Sequence, residues 1–191
     1  MEERTAFFYG TLMVPQVLHR VLYGSTQPHQ SQIQALKIQP AMLFKYVRHR
    51  VVDADYPAII ASSEVSTSVR GTYVQGLTAA DIWRLDIFEG DEYERVKVCP
   101  RILDANGEQG DTVSAETYVW IDSREDLEQE EWDFEEFKRE KLHRWVGVGE
   151  WYEEVDEAVE KLEDQRNPTG GRFVDGKMTA EYGGGGEMPG S

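Results

Sequence analysis

One acidic residue stands where proton-transfer chemistry would be simple to build. Glu89 follows Phe88 at the end of an apolar segment that begins at Leu85, and Gly90 comes directly after it. A carboxylate held against apolar walls has its charged form disfavoured, so its pKa rises and it can exchange a proton near neutral pH. The alternative interpretation is an ordinary acid at the end of a surface helix, with Gly90 as the C-cap.

A second segment has the features of a binding turn for oxygen atoms. The β-prone run 5–9 breaks at Gly10 and Thr11, and Pro15 then opens a predicted helix through Leu22. Such a turn exposes backbone N–H groups, which can hold a carboxylate or carbonyl oxygen without a charged side chain. An ordinary strand-to-helix turn has the same pattern.

Motifs of several common enzyme classes are absent from the sequence. It contains no GxGxxG, GxxxxGK[ST], HExxH or GxSxG, and its 4 His are scattered. Asp53, Asp55 and the acidic group at 91–94 lack the spacing of a calcium loop and have no His partners. We interpret them as solvated loop charges, and no metal site is implied.

Short strands dominate the first part of the chain. Apolar residues in β-like spacing predict two strands within 33–52, separated by a break at Gln39 and Pro40. Further strands are predicted over 56–60 and 69–76.

A helix and a strand pair follow. The segment 78–90 begins with a helix N-terminal signal and has the helical period of 3.6. Alternation predicts a strand over 93–103, a turn at 104–107 and an antiparallel partner over 115–121. Sequential strands with two early helices predict an α+β fold in which a small mixed or antiparallel sheet curls into a β-barrel with flanking helices.

The composition changes after residue 121. Residues 122–164 hold 18 Asp/Glu and 6 Lys/Arg, and their apolar residues recur at helical spacing. We expect three parts: a barrel over 1–122, an acidic amphipathic helical extension over 123–164, and a disordered Gly-rich tail over 165–191. The extension is expected to lay four aromatic residues onto the barrel, although a partner-binding arm or a substrate lid is an alternative. These residues are Trp132, Phe137, Trp145 and Trp151.

Charge and cysteine usage limit the partners and the compartment. With 36 Asp/Glu against 20 Lys/Arg the formal charge is −16, which repels phosphate backbones and anionic lipids, so no nucleic acid or membrane partner is expected. The single cysteine, Cys99, is interpreted as a packed strand residue. The first residues lack the pattern of a secretory signal, and we expect a cytoplasmic monomer.

Taken together, these segments resemble the gamma-glutamylcyclotransferase-like family, especially its AIG2-like (avirulence-induced gene) branch. The resemblance covers about residues 5–121 and depends on several pieces occurring in the family's order at compatible spacing. The pieces are Tyr9-Gly10-Thr11-Leu12, Tyr56-Pro57-Ala58-Ile59, Val69-Arg70-Gly71, the run from Leu85 to Arg95, and Tyr118-Val119-Trp120.

The resemblance implies an activity that needs no cofactor. A gamma-glutamyl amine or peptide would enter the cavity and leave as 5-oxoproline and a free amine. Glu89 would remove a proton from the α-ammonium group, the freed amine would attack the γ-carbonyl of the same molecule, and the protonated acid would serve the leaving amine.

The resemblance also implies which residues contact the substrate. Backbone N–H groups of the glycine turn would hold the glutamyl part, and the phenol of Tyr118 would hydrogen-bond to the substrate. The expected substrate-binding residues are Tyr9, Gly10, Thr11, Leu12, Met13, Val14 and Tyr118. Tyr93 and Arg95 are expected to be structural, as a strand start and as the partner of a nearby carboxylate.

Two functions from different classes stay open. The first is a gamma-glutamylcyclotransferase, and the second is a non-catalytic AIG2-like protein that binds a small molecule as a sensor or regulator. The presence of Glu89 favours the enzyme, because a pure binding protein gains little from a partly desolvated acid.

Overall fold

A mixed seven-stranded sheet forms the centre of the fold. The computed structural model describes residues 3–147 and 149–166. The strands within them are β1 (Arg4–Phe8), β2 (Lys37–Phe44), β3 (Tyr46–Arg50), β4 (Pro57–Ala61), β5 (Ser68–Leu77), β6 (Tyr93–Val98), β7 (Arg101–Leu103), β8 (Gln109–Thr112) and β9 (Ala115–Trp120). Their order across the sheet is β6-β9-β1-β5-β2-β7-β8, and β3 and β4 form a separate pair.

The sheet is open. Within the described part of the chain β1 and β9 are parallel and the other neighbours are antiparallel, with β6 and β8 as the two edges. The mixed α+β fold with flanking helices is confirmed, but closure into a barrel is not found. The side chains of β8 are all exposed, so burial of apolar surface does not draw this edge toward β6.

Helical segments cover the sheet and continue beyond it. The α-helices are α1 (Pro15–Tyr23), α2 (Gln30–Ala35), α3 (Ala79–Glu89), α4 (Phe134–Glu136), α5 (Leu142–Trp145) and α6 (Glu153–Arg166). A π-helical segment (Phe137–Lys141) joins α4 to α5, and 3₁₀ turns lie at Thr11–Met13, Arg124–Asp126 and Glu150–Tyr152. Across residues 3–147 and 149–166, we find no helix whose length and apolar character suit a membrane crossing.

Helix α3 begins and ends where the sequence predicts. The backbone N–H of Asp81 donates to Thr78 Oγ1 at 3.1 Å, and the Asp81 carboxylate accepts from the Thr78 N–H at 2.8 Å. This reciprocal capping box satisfies two donors at the N-terminus. Gly90 ends the helix with a φ of 73°, which a residue without Cβ adopts at little cost. Glu89 is therefore the last helical residue.

The prediction of an antiparallel strand pair is correct for β6 and β9, and the segment between them differs from the prediction. Strands β6 and β9 pair as expected, from Tyr93 opposite Trp120 to Val98 opposite Ala115. The segment 93–103 is two strands, because the chain leaves β6 before Pro100, and the turn at 104–107 joins β7 to β8.

Three local interpretations are corrected. Ile33 lies in α2, whose N-terminus is satisfied by a capping box from His29, so it does not belong to a strand. Pro40 lies within β2, just before the pairing with β7 begins at Ala41, so the strand continues through it. Cys99 lies between β6 and β7 and is exposed.

Two apolar cores lie against the sheet. One contains Phe7, Ala41, Leu43, Ile59 and Tyr73. The other joins α1 and α3 to the extension and includes Trp132, Phe137, Trp145 and Tyr152. The expectation that the extension packs onto the sheet domain is met by Trp132, Phe137 and Trp145, whereas Trp151 remains 39% exposed.

Asp55 fastens the extension to the loop before β4. Its carboxylate accepts hydrogen bonds from the Arg144 guanidinium at 3.0 Å and from Trp145 Nε1 at 3.2 Å. Its backbone carbonyl accepts from Trp132 Nε1 at 2.7 Å. Asp55 is 8% exposed, so its interpretation as a solvated loop charge is wrong. Of the predicted tail, residues 165 and 166 belong to α6, and 167–191 lie outside the described residues.

Candidate functional site

A cavity of about 730 Å³ lies between the end of α3, the turn after β1 and the extension. This volume is in the range of small-molecule sites. It brings together residues that are far apart in sequence, since Glu89 and Tyr118 line it along with the glycine turn. The turn residues that line it are Tyr9, Gly10, Thr11 and Leu12.

Glu89 is an acid without a protein partner in this cavity. Among residues 3–147 and 149–166, no hydrogen bond or ion pair involves its carboxylate. Burial raises the pKa of Glu89 to about 8, and the negative charge of neighbouring Asp86 contributes in the same direction. Its side chain is only partly exposed, toward the cavity. The carboxyl can therefore exchange a proton near neutral pH.

Asp86 is held in place by two neighbours. Arg95 Nε donates to its Oδ1 at 2.8 Å, and the Tyr118 hydroxyl donates to the same oxygen at 2.8 Å. Arg95 also bonds Glu116 at 2.6 Å, and Arg4 bonds Glu116 from the other side at 3.1 Å. The prediction that Arg95 pairs with a nearby carboxylate is confirmed.

The bond to Asp86 fixes what the Tyr118 hydroxyl can do. A phenol has one donor proton, and here Asp86 accepts it, so the remaining lone pairs can accept a hydrogen bond from a ligand. Burial raises the pKa of Tyr118 above its ordinary value, and Glu89 and Asp86 add to the rise. Tyr118 therefore faces the cavity as a neutral acceptor.

The glycine turn lines the cavity and has two backbone N–H groups outside its own hydrogen bonds. Its first internal hydrogen bond runs from the Met13 N–H to the Gly10 carbonyl at 3.0 Å, so the N–H groups of Thr11 and Leu12 precede this bond and have no partner within the turn. A Cβ on Gly10 would meet two ring carbons of Pro57 at 2.8 Å.

Tyr9 uses its polar groups within the protein. Its hydroxyl donates to the Tyr118 carbonyl at 2.6 Å, and its own carbonyl accepts from the Arg48 guanidinium at 2.9 Å. The ring therefore serves as a wall of the cavity.

Two of the predicted contact residues are placed elsewhere. Met13 and Val14 do not line the cavity. Val14 is the N-cap of α1 and is 3% exposed, and Met13 packs against the same core. The 3₁₀ turn carries the chain away from the cavity after Leu12, which the spacing in sequence does not reveal.

Several lining residues were not predicted to contact a ligand. Tyr56, Trp83 and Tyr93 line the cavity from the sheet domain, and Trp145 and Trp151 line it from the extension. Tyr93 begins β6 as predicted, and its hydroxyl donates to the Pro57 carbonyl at 3.0 Å. Asp86 could have been found from the sequence, because it lies one helical turn before Glu89 on the same face.

The charged residues around the cavity are all acidic. Within the part of the chain that the structure describes, no Lys, Arg or His lines it. The acidic lining residues are Asp86, Glu89, Asp91, Glu92, Glu150 and Glu154. No group of three His, Cys, Asp or Glu suited to a metal ion occurs in the same described ranges.

Comparisons with known proteins agree with this architecture. AIG2-like protein B of Arabidopsis thaliana is 32% identical over 164 residues, which are 86% of this chain and 81% of that protein. Protein AIG2 C of the same plant is 30% identical over 145 residues, 76% of this chain and 78% of that protein. An A. thaliana protein solved in solution superposes with a TM-score of 0.53 at 27% identity, covering 93% of this chain and 97% of its own.

A family model matches most of the sheet domain. The model describes gamma-glutamyl cyclotransferases of the AIG2-like type, and it matches residues 6–134. That range contains the glycine turn, Glu89 and Tyr118, together with all nine described strands except the first two residues of β1. The chain therefore belongs to the gamma-glutamyl cyclotransferase, AIG2-like family.

Proposed function

We propose that this protein is a gamma-glutamylcyclotransferase, which converts a gamma-glutamyl amine or peptide to 5-oxoproline and the free amine. The observation that carries the proposal is Glu89, an unpaired carboxyl in the cavity whose pKa is raised to about 8. Membership of the family supports the same class of reaction.

The reaction needs one group that can take up a proton and return it. Glu89 accepts a proton from the substrate's α-ammonium, and the neutral amine nitrogen attacks the γ-carbonyl carbon. A new C–N bond closes the five-membered ring as the γ-amide C–N bond breaks. The proton on Glu89 passes to the departing nitrogen, which leaves as an amine, and the ring nitrogen gives its second proton to the Glu89 carboxylate, from which it passes to solvent. Nucleophile and electrophile belong to one molecule, so the cavity has only to fold the glutamyl chain.

The surrounding groups fit the two ends of the glutamyl part. The N–H groups of Thr11 and Leu12, which have no hydrogen-bond partner among residues 3–147 and 149–166, can hold its α-carboxylate. The α-ammonium can donate to the Tyr118 hydroxyl oxygen, which can accept because the hydroxyl donates its own hydrogen bond to Asp86. A base with a pKa of about 8 is close to an α-amine in proton affinity, which favours transfer between them.

The test is release of 5-oxoproline from gamma-glutamyl amino acids, glutathione and gamma-glutamyl-ε-lysine. We expect release by the wild type and at least a hundredfold lower kcat for Glu89→Gln, which is typical for loss of a general base. Glu94→Gln is the matched control, because Glu94 is exposed on β6 and does not line the cavity.

The outcomes separate the enzyme from a binding protein. Full activity of a folded Glu89→Gln variant would show that another group moves the proton. No release from any compound, with ligand-dependent thermal stabilisation of the wild type, would favour the non-catalytic binding or regulatory protein.

A further inference from the structure

Arg48 on β3 reaches the end of β1, directly before the glycine turn. Its Nη1 donates to the Tyr9 carbonyl at 2.9 Å and to the Arg70 carbonyl at 3.3 Å. The Arg48 side chain is only 10% exposed. Burying a guanidinium is costly unless its donors find acceptors, and here two main-chain carbonyls accept from one of its nitrogens. The glycine turn therefore begins at a peptide group that a buried cation holds.

This contact fixes the direction of the next backbone N–H group. The peptide between Tyr9 and Gly10 is trans, so its N–H points opposite to its carbonyl. The carbonyl points toward Arg48, which does not line the cavity, whereas Tyr9 and Gly10 both line it. The Gly10 N–H therefore points away from Arg48, and it has no hydrogen-bond partner in the part of the chain that the structure describes. It adds a third donor to those of Thr11 and Leu12.

Arg48 also brings a positive charge to a cavity whose charged lining residues are acidic. Its one carboxylate partner within residues 3–147 and 149–166 is Glu131, which is 67% exposed, so solvent weakens that ion pair. Burial raises the pKa of Tyr9, and the charge of Arg48 acts against this rise, so the field of the guanidinium reaches the cavity wall. A carboxylate bound at the turn gains from this field, because the acidic lining residues repel it.

The extension holds the guanidinium on its other side. The Nη2 of Arg48 donates to Glu131 at 3.0 Å, and the guanidinium carbon lies 5.5 Å from the centre of the Trp132 ring. Such a position over an indole ring is favourable for a cation. Trp132 is itself fixed by the bond from its Nε1 to the Asp55 carbonyl at 2.7 Å. Contacts on both sides therefore keep the Arg48 side chain in one position relative to the turn.

We propose that Arg48 is a positioning residue of the glycine turn: it holds the Tyr9–Gly10 peptide so that the Gly10 N–H faces a ligand carboxylate, and its positive charge strengthens that contact. A peptide whose carbonyl accepts from a cation is polarised, which makes its N–H a stronger donor. The carboxylate is the α-carboxylate of the glutamyl part, an assignment that rests on the proposed function. This carboxylate does not react, so Arg48 acts on KM rather than on kcat.

Two ligands that differ in charge test the proposal. The product 5-oxoproline has the carboxylate, and 5-oxoprolinamide has an uncharged carboxamide in its place. In calorimetry, Arg48→Met should bind 5-oxoproline about tenfold more weakly than the wild type does, as for loss of a hydrogen bond to a charged group. Its affinity for 5-oxoprolinamide should fall by about twofold or less, because a neutral acceptor gains little from the charge. An unchanged affinity for 5-oxoproline, or equal losses for both ligands, would overturn the proposal.

Two control variants separate the contact with the turn from other losses. Glu131→Gln removes the ion pair but leaves the bond from Arg48 to the Tyr9 carbonyl in place. Arg20→Met is matched to Arg48→Met, because the Arg20 side chain is 14% exposed and also binds the extension, at Asp156, but does not line the cavity. Both controls should bind 5-oxoproline as the wild type does, even where thermal stability falls. A loss in either control equal to that of Arg48→Met would overturn the proposal.

Kinetics distinguish a failure of this proposal from a failure of the proposed function. With a gamma-glutamyl compound that the wild type converts, Arg48→Met should raise KM about tenfold and change kcat by about twofold or less. Turnover with an unchanged KM would overturn the role of Arg48 while the cyclotransferase stands. Weaker 5-oxoproline binding by Arg48→Met, with no turnover by the wild type, would support the role of Arg48 and refute the cyclotransferase. A wild type that neither binds 5-oxoproline nor converts a substrate would overturn both.

Discussion

The ring of Tyr152 stacks on the ring of Phe88, with centroids 5.9 Å apart and planes at 17°. Phe88 immediately precedes Glu89, so a residue of the extension supports the helix end that carries the candidate acid. The ring of Trp145 packs edge to face against the same phenylalanine ring, with centroids 6.4 Å apart. The extension therefore packs against the end of α3 that carries Glu89, and it also forms part of the cavity wall.

Removing this support should lower both stability and activity. Tyr152 is fully buried, and its hydroxyl donates to the Trp145 carbonyl at 2.6 Å. Tyr152→Ala should cost about 3–5 kcal/mol of unfolding free energy, as for other large buried aromatics, and reduce 5-oxoproline release. Tyr152→Phe keeps the stacked ring and loses one hydrogen bond, so it should cost about 1 kcal/mol and retain most activity. Urea unfolding and the activity assay check both; equal losses for the two variants would contradict a role for the ring.

The pH dependence of activity should report on Glu89. The base must be ionised in the free enzyme, so kcat/KM should rise with pH through about 8, the raised pKa of Glu89. Asp86→Asn removes the negative charge that contributes to the rise, so the ascending limb should move to lower pH. A pH profile with an unshifted limb in this folded variant would show that Asp86 does not act on the base.

Stability should depend on pH through the same residue. The pKa of Glu89 is raised from 4.5 to about 8 by folding, so its contribution to stability is fully present below 4.5 and is lost as pH rises through 8. Each pKa unit corresponds to about 1.4 kcal/mol, so the unfolding free energy that is lost is on the order of a few kcal/mol.

The Glu89→Gln variant should therefore become more stable relative to the wild type as pH increases. The difference in unfolding free energy between variant and wild type should grow from pH 5 to pH 8.5, because the amide has no charge to bury. Glu94→Gln should show no such trend, since Glu94 is exposed. A constant difference for Glu89→Gln across this range would mean that the carboxyl is not desolvated.

The glycine turn should not tolerate a side chain at its first position. The Cβ of Gly10→Ala would lie 2.8 Å from two carbons of the Pro57 ring, and a proline ring cannot swing aside. We expect the unfolding free energy to fall by about 1–3 kcal/mol, as it does at other overpacked sites. We also expect a higher KM, because the turn must shift to make room for the methyl group. Gly147→Ala is the control, because its Cβ would meet nothing within 4 Å. Equal thermal stability of both variants would contradict the tight packing of Gly10 against Pro57.

Local patterns in the sequence were sufficient for much of the fold. Helix α3 follows from its capping signals and its apolar period, and the β6–β9 pair follows from alternation. These features depend on neighbours a few residues apart, which a sequence displays directly. The open sheet was not predicted, because closure depends on how the two distant edge strands meet.

Long-range packing decided the parts of the site that sequence patterns misplaced. The sequence pattern predicts a solvated charge at Asp55, yet residues about 90 positions later in the chain bury its carboxylate. Val14 was expected to contact the substrate, yet the turn directs it into the core. In both cases the environment of a side chain is set by segments far away in the chain.

The motifs that contain Glu89, the glycine turn and Tyr118 resemble those of a known family, and it is this resemblance that implies the chemistry. The roles of these residues remain predictions. Only the tertiary structure decided that they share one cavity and that the Tyr118 hydroxyl donates its hydrogen bond to Asp86. It also decided that an acidic extension with two tryptophans forms another wall of the cavity. The physical reason is that the pKa and the hydrogen bonding of a functional group depend on the electric field and the water around it. Both are set when distant segments pack together and exclude water.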